Sequence, residues 1–369
     1  MTSPIARWRI GFARLDYVRS VHWAAHSEDY GDCIVLEVET RDGQRGATEA
    51  IMRAKWHDAT PAQIESSLTN SILPALAHVD WTDPEKVGST LAPYRKDGFA
   101  CALADLALWD LRASASSTPI WKFLGATSSR VPVSFTLTRT EPAIMAREAA
   151  EMRARYGFTA FKVKTGQGID IDRRAIAEIR AAVGQDVIIM ADSNRAHELS
   201  EVQAMSEMLA EAGVVWFEDP CAYTADQTFV AAQAQSVLPI LVDNQSRSLE
   251  AARVFTGLGA KGLSVKTMKT GISESRQVIA NARESGAKVA VGISASGGGG
   301  AVHTLSLAAS IPADQVCLLC EETFFLYLRN DVLTSSLQVR DGAVELADHP
   351  CVAPLIDWRR MDRVVSGVC

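Results

Sequence analysis

The feature that most limits what this chain can fold into is a rhythm in its second part. From about residue 130 onward, short apolar runs recur roughly every 25 residues. They lie at 131–138, 158–164, 187–192, 214–218, 239–243, 262–266, 287–291 and 315–321. Ala-rich stretches of helical character, such as 172–182 and 200–212, fill the gaps. Strand, helix and strand in that order make a parallel β/α unit, and about eight such units close into a TIM-type barrel of roughly 200 residues or more. The stretch 130–345 has room for one.

The chain ahead of it reads as α+β. Residues 7–18 and 33–40 have the β-branched and apolar character of strands. Asp42-Gly43 and Gly46 punctuate a turn, after which 47–50 can return as a strand. Residues 61–77 read as an amphipathic helix with Pro61 in its first turn, and 99–115 as a second helix. The expected organisation is an N-terminal α+β domain over 1–128, a barrel over 129–345 and a tail over 346–369. The tail has no further β/α unit and is expected to pack back on the first domain.

Composition serves to exclude. A net charge of −7 argues against a nucleic-acid partner, which usually meets a basic field. No stretch is apolar for the roughly eighteen residues that a membrane span needs. The N-terminus carries Trp8 and charges early and lacks an apolar signal core, so a cytoplasmic location is expected. Seven scattered cysteines fit reduced thiols. Cys317 and Cys320 form a CxxC, but with two leucines between them and no second pair they read as a buried strand.

Five consecutive apolar runs finish on charged residues. The second ends Lys162-Val163-Lys164, the third Asp192-Ser193-Asn194 and the fourth Glu218-Asp219-Pro220. The fifth ends Asp243-Asn244 and the sixth Ser264-Val265-Lys266. In a barrel these ends gather at one face, where active sites lie. The order is cation, anion, anion, anion, cation. Asp192, Glu218 and Asp243 stand 26 and 25 residues apart, one β/α unit each. Three carboxylates make a hard oxygen site suited to Mg²⁺. Lys164 and Lys266 flank that site on opposite sides. A lysine that is partly desolvated beside a divalent cation falls below its usual pKa of about 10.4 and can act as a neutral base.

These strand ends, together with Thr267-Met268-Lys269-Thr270-Gly271, resemble the muconate-lactonizing-enzyme and dipeptide-epimerase branch of the enolase superfamily, within the mandelate racemase/muconate lactonizing enzyme family. Ala104-Asp105-Leu106-Ala107-Leu108-Trp109-Asp110 is similar to the capping-domain helix of that family, and 119–125 to the segment leading into its barrel. The resemblance implies an α/β fold with a modified TIM barrel, (β/α)7β, and an α+β capping domain built from the N-terminal part and the tail. By position it implies Asp192, Glu218 and Asp243 as ligands of one Mg²⁺ per subunit, and Lys164 and Lys266 as the two acid/bases. Lys162 would stand behind Lys164 and depress its pKa by like-charge repulsion. The family also implies a homo-oligomer, a dimer or an octamer.

The implied chemistry is abstraction of the α-proton of a small-molecule carboxylate through an enediolate that Mg²⁺ neutralises; this superfamily is a standard example of a lysine base working beside Mg²⁺. Two facing lysines fit racemisation or epimerisation, with an amino-acid derivative as the expected substrate. A dehydratase or muconate-type cycloisomerase of the same mechanism is the alternative, and a metabolite-binding relative without catalysis is a third reading. Further candidates for supporting or contacting roles are Asn194, Asp219, Asn244 and Lys269. Trp23 and Trp56, with Tyr30, lie where capping loops reach over the barrel mouth. Two places depart from the family pattern. The eighth strand ends Cys320-Glu321-Glu322, with Glu322 as its acid in place of an Asp-x-Asp. After the seventh comes Ser294-Ala295-Ser296 and a run of four glycines, expected either to flex or to turn backbone N–H groups towards a substrate anion.

Overall fold

The computed structural model describes residues 3–23, 26–53 and 59–369, without the side chains of Trp23 and His26. Ile5–Trp23, His26–Thr40 and Arg45–Met52 form an antiparallel meander. The last strand, Arg363–Val368, pairs with the free edge of the first, Arg7 opposite Val368. The helix Gly98–Ala115 lies against Arg45–Met52 on one side and the barrel helix Thr267–Glu284 on the other. It is buried almost all round from Phe99 to Ala113, which a helix covered on both sides requires. Its buried acids are each satisfied across the fold: Asp110 accepts from Ala47 N (2.8 Å) and Val352 N (2.9 Å). The expected helix over 61–77 is broken by a π-helical turn at Leu68–Ile72. Pro74 follows it. Proline has no N–H and crowds the carbonyl four residues back, so the α register cannot run through.

The second part is an eight-stranded parallel sheet in sequential order, from Phe135–Leu137 to Val316–Leu318. Between them come Ala160–Lys164, Ile188–Asp192, Val214–Glu218, Ile240–Val242, Gly262–Val265 and Lys288–Val291. A helix follows each of the first seven, and only the short turn Phe324–Tyr327 follows the eighth. The first and last strands meet at one parallel bridge, Val133 to Cys320, where Ser134 N donates to Cys320 O at 2.9 Å. The single strand expected over 131–138 is two. Arg130–Pro132 leaves the barrel and pairs with Ala343–Glu345, and the barrel strand begins at Phe135. Pro132, which cannot donate to a ladder, marks the break. The run expected over 315–321 stops at Leu318, and Glu321 and Glu322 turn into the interior. Among the described residues no helix is long and apolar enough to cross a membrane. All seven cysteines are unbridged.

Candidate active site

The sheet register sets three charged strand ends in one row: Lys164 opposite Asp192, and Asp192 opposite Glu218. Asp243 follows directly on the fifth strand and Lys266 on the sixth. Lys164 Nζ donates to Asp192 Oδ2 at 2.5 Å and to Asn194 Oδ1 at 3.1 Å. Across the mouth, Lys266 Nζ donates to Asp243 Oδ2 at 2.7 Å. Lys164, Lys266, Lys269, Asn194 and Asp243 line one cavity of about 270 Å³.

The supporting residues hold these ends in register. Asp219 Oδ2 accepts from Asn244 N (2.8 Å) and Asn244 Nδ2 (2.6 Å), and its Oδ1 from Tyr223 Oη (2.6 Å) and Asp243 N (3.1 Å). Asp219 thereby ties the fourth strand end to the fifth. Asn194 N donates to Asp192 Oδ1 at 2.8 Å. Asn194, Arg195, Asp219 and Ala295 all have positive φ, so left-handed backbone in residues other than glycine collects at the barrel mouth. Such backbone strain clusters at functional sites.

Lys162 shares Asp192 Oδ2 with Lys164 and is also ringed by further acids. Its ammonium lies 2.8 Å from Glu321 Oε2, 2.8 Å from Glu218 Oε2 and 3.3 Å from Asp192 Oδ2, fully buried. Burial opposes its charge, but Glu218, Glu321 and Asp192 outweigh burial and hold it well above the usual lysine range. Lys266 is likewise raised: burial opposes its charge most, but Asp243, Glu218 and Glu321 together outweigh it. That is opposite in direction to the depression a base beside a divalent cation needs. Lys269 is lowered, mainly by burial.

Among the described residues no three His, Cys, Asp or Glu side chains already close on a common metal position. Ammonium groups hold the acids instead. The donor set still fits a hard cation. Glu218 Oε1 is buried without a hydrogen-bond partner, and Oε2 faces the ammonium of Lys162 at 2.8 Å. Burial and then the charge of Asp192 push its carboxyl well above the carboxylate range. A pair of crowded acids with unused lone pairs is what a bound cation relieves.

The family model described as "Enolase C-terminal domain-like" matches residues 144–352, and "Mandelate racemase / muconate lactonizing enzyme, N-terminal domain" matches residues 12–125. The chain belongs to the mandelate racemase/muconate lactonizing enzyme family of the enolase superfamily. It is an enzyme of that superfamily, an isomerase or a lyase. It is 26% identical over 342 residues to an o-succinylbenzoate synthase of Geobacillus stearothermophilus, covering 90% of this chain and 88% of the relative. It is 26% identical over 315 residues to an N-succinylamino acid racemase of Thermus thermophilus, covering 83% of each. In fold it matches a muconate lactonizing enzyme of Pseudomonas fluorescens complexed with muconolactone (TM-score 0.89, 21% identity, 98% of both chains). It also matches a dipeptide epimerase of Enterococcus faecalis complexed with Mg and L-Leu-L-Tyr (TM-score 0.86, 21% identity, 94% of this chain and 98% of that one).

Against this family frame, several residues sit elsewhere than the sequence suggested. The glycine run opens the helix Gly298–Ala309, and three of its N–H groups are spent on the protein's own acids. Gly297 N (3.0 Å) and Gly300 N (3.1 Å) donate to Glu49 on the third strand of the capping sheet, and Gly298 N donates to Asp331 (3.2 Å). Glycine is required there because a Cβ on Gly297 or Gly299 would run into the Glu49 side chain. Glu322 turns to backbone: it accepts from Ser294 N (2.7 Å) and Ser296 N (3.3 Å), and burial pushes it up to about 7. Lys269 donates to the backbone oxygen and to Oδ1 of Asp243, each at 2.7 Å. Tyr30 lies under the Arg14 guanidinium, 3.9 Å from its ring centre. Trp56 and the side chain of Trp23 lie outside the described residues.

Two features escaped the sequence reading. Glu321, partner of Lys162, was hidden beside Glu322; the signal was its place just past a barrel strand that ends at Leu318. Asp105 of the capping helix accepts from Ser273 N at 3.0 Å and from Ser273 Oγ, while Trp109 Nε1 donates to Ser273 Oγ at 2.8 Å. This caps, from another part of the chain, the helix that begins after Gly271. Gly271 itself has φ 65° and ψ −178°, and a Cβ there would collide with Asp105.

Proposed function

We propose that this enzyme is a Mg²⁺-dependent racemase or epimerase that removes and returns the α-proton of a carboxylate substrate, an amino-acid derivative, with Lys164 and Lys266 as acid/bases. The observation that carries this reading is that the two lysines open into one cavity from opposite sides of Asp192, Glu218 and Asp243. Asp192, Glu218 and Asp243 would hold the metal, which supplies positive charge against the substrate carboxylate as the α-carbon loses its proton. Lys164 Nζ takes the proton from one face and Lys266 Nζ delivers one to the other, or the reverse. Each has to be neutral to accept a proton and charged to donate one. Lys269 and Asp219 hold Asp243 in place, and Lys162 with Glu321 anchors the floor. The N-succinylamino acid racemase relative and the Mg-complexed epimerase fold support this assignment. A homo-oligomer, dimer or octamer, belongs to the same reading.

The o-succinylbenzoate synthase relative, matched over 90% of this chain, favours a second reading. In it the same proton abstraction is followed by loss of a β-leaving group. The test is incubation with Mg²⁺ in D₂O and pools of N-acyl amino acids, hydroxy acids and diene acids. Deuterium at one α-position, lost in Lys164→Ala and Lys266→Ala, is the expected result. Loss of water from the substrate would move the assignment to the lyase. Turnover that survives in both lysine variants would overturn it.

A further inference from the structure

Besides the acid that its ammonium meets, Lys266 has a neighbour along its stem. The residue that follows the seventh barrel strand, Lys288–Val291, is Gly292. Its N–H donates to Val265 O at 2.9 Å, which fixes its α-carbon beside the end of the sixth strand. A Cβ on Gly292 would stand 2.6 Å from Cε and 3.3 Å from Cγ of Lys266, and 2.8 Å from Ser264 Oγ. The butyl stem of Lys266 therefore runs along the bare α-carbon of Gly292. Its tip donates to Asp243 Oδ2 at 2.7 Å, on the fifth-strand side.

The backbone does not ask for glycine at this position. Gly292 is buried, but its φ is not in the left-handed range, unlike that of Gly271. Space asks for it, since glycine is the residue along which another group can pass closely. Carbon atoms pack at roughly 3.5–4.0 Å, so an added methyl displaces Lys266 Cε by about 1 Å. The side chain gives way before the main chain does. The bonds from Gly292 N to Val265 O and from Lys269 N to Lys266 O (2.9 Å) hold the backbone on both sides, whereas the flexible stem of a lysine can turn. Ser264 Oγ is buried with no hydrogen-bond partner, so it can rotate aside without losing a bond. Lys164 meets a different neighbour: Asp192, opposite it in the register, carries a full side chain.

We infer that Gly292 is a positioning residue. Its missing side chain forms a slot that sets how far the Lys266 ammonium reaches into the cavity, and it serves the proton transfers of Lys266 and not those of Lys164. The inference rests on the proposed function for the chemistry of Lys266, and on the packing alone for the slot.

The experiment pairs enantiomer-resolved α-deuterium exchange with a crystal structure, both on Mg²⁺-loaded Gly292→Ala. Exchange is run on each enantiomer of the substrate that the native enzyme turns over. The proton whose exchange Lys266→Ala abolishes should exchange about a hundredfold more slowly, the effect that a misplacement of about 1 Å produces. The proton that Lys164 handles should stay near the native rate. In the crystal, Lys266 Nζ should be displaced by about 1 Å from Asp243 Oδ2 or along it. An equal fall on both enantiomers, or a crystal in which Lys266 keeps its place and the seventh strand yields, would overturn the inference. If Gly292→Ala does not fold, Gly292→Ala/Lys266→Ala decides the matter. A double variant that folds once the stem is gone supports the slot, and one that fails as the single variant does overturns it. If only the α-proton reading is wrong, the native enzyme washes deuterium into no substrate, while the displacement of Lys266 in the crystal stands.

Discussion

Among the described residues, the side-chain contacts that hold Lys164 come from the barrel, whereas the surroundings of Lys266 are tied to both barrel and cap. On the Lys164 side, Asp192 and Asn194 come from the next strand, and Arg139 clasps the two loops by donating to Thr165 O (2.6 Å) and Ser193 O (2.7 Å). These residues belong to the first three β/α units. On the Lys266 side, the next residue, Thr267, bonds to Thr304 (2.7 Å) on a helix whose first turn is held by Glu49 of the capping sheet. Six residues on, Asp105 of the capping helix caps the segment at Ser273. The contrast teaches that a change in the capping helix or sheet has a described route to Lys266 through Ser273 and Thr304.

The largest effect tests whether the two sides do equal chemistry. Lys164→Ala and Lys266→Ala should each lower α-deuterium exchange by about 10²–10⁴-fold, the usual worth of a positioned acid/base. Measured separately on the two enantiomers of a substrate, each variant should spare wash-in to one of them more than the other. Equal losses on both would break the one-lysine-per-face comparison.

Gly271→Ala comes next. Its φ/ψ lies in a region essentially reserved for glycine, so the backbone alone costs about 1–3 kcal/mol, before the new Cβ meets Asp105. Urea unfolding should show that loss. Enantiomer-resolved exchange should fall by about tenfold for the proton that Lys266 handles, within the range that small misplacements produce. A uniform fall in both directions would mean that Gly271 matters to stability and not to the position of Lys266.

Glu49→Ala removes the acceptor for two buried glycine N–H groups and should cost about 1–3 kcal/mol. The Lys164 half-reaction should change less than the Lys266 one.

The smallest effect is a pH dependence at the same residue. Burial, and then the charge of Asp331, push Glu49 up to about 8, against the pull of the Gly300 and Gly297 amides. A carboxyl raised above its unfolded value binds more protons folded than unfolded between those two pKa values. Its contribution to stability is therefore largest below the unfolded value of about 4.5 and is lost as pH rises towards 8. The melting temperature of the native protein relative to Glu49→Gln should be higher at pH 5 than at pH 8.5. A constant difference would show that Glu49 is ionised throughout.

Most of the barrel was legible because its strands are buried on both faces and read as plain apolar runs of the right length and spacing. The run 214–218 is a strand over the same residues, and 187–192 loses one residue. The misreadings have local physical causes. Proline at 132 splits a run and proline at 74 interrupts a helix, both by withholding an N–H. In the site, the gathering of Lys164, Asp192, Glu218, Asp243 and Lys266 at one mouth could be read because parallel strands deliver successive ends to one face. The partner of Lys162 could not, because Glu321 lies 159 residues away in sequence.

The sequence by itself determined a run of parallel β/α units and which charged residues end them, since both follow from local periodicity. The tertiary structure alone decided what each charge touches. It set Lys162 on Glu218 and Glu321, turned the glycine run to Glu49, and laid the stem of Lys266 along Gly292. Those contacts join segments that no local rule connects, and their energies exist only when burial removes water from between them.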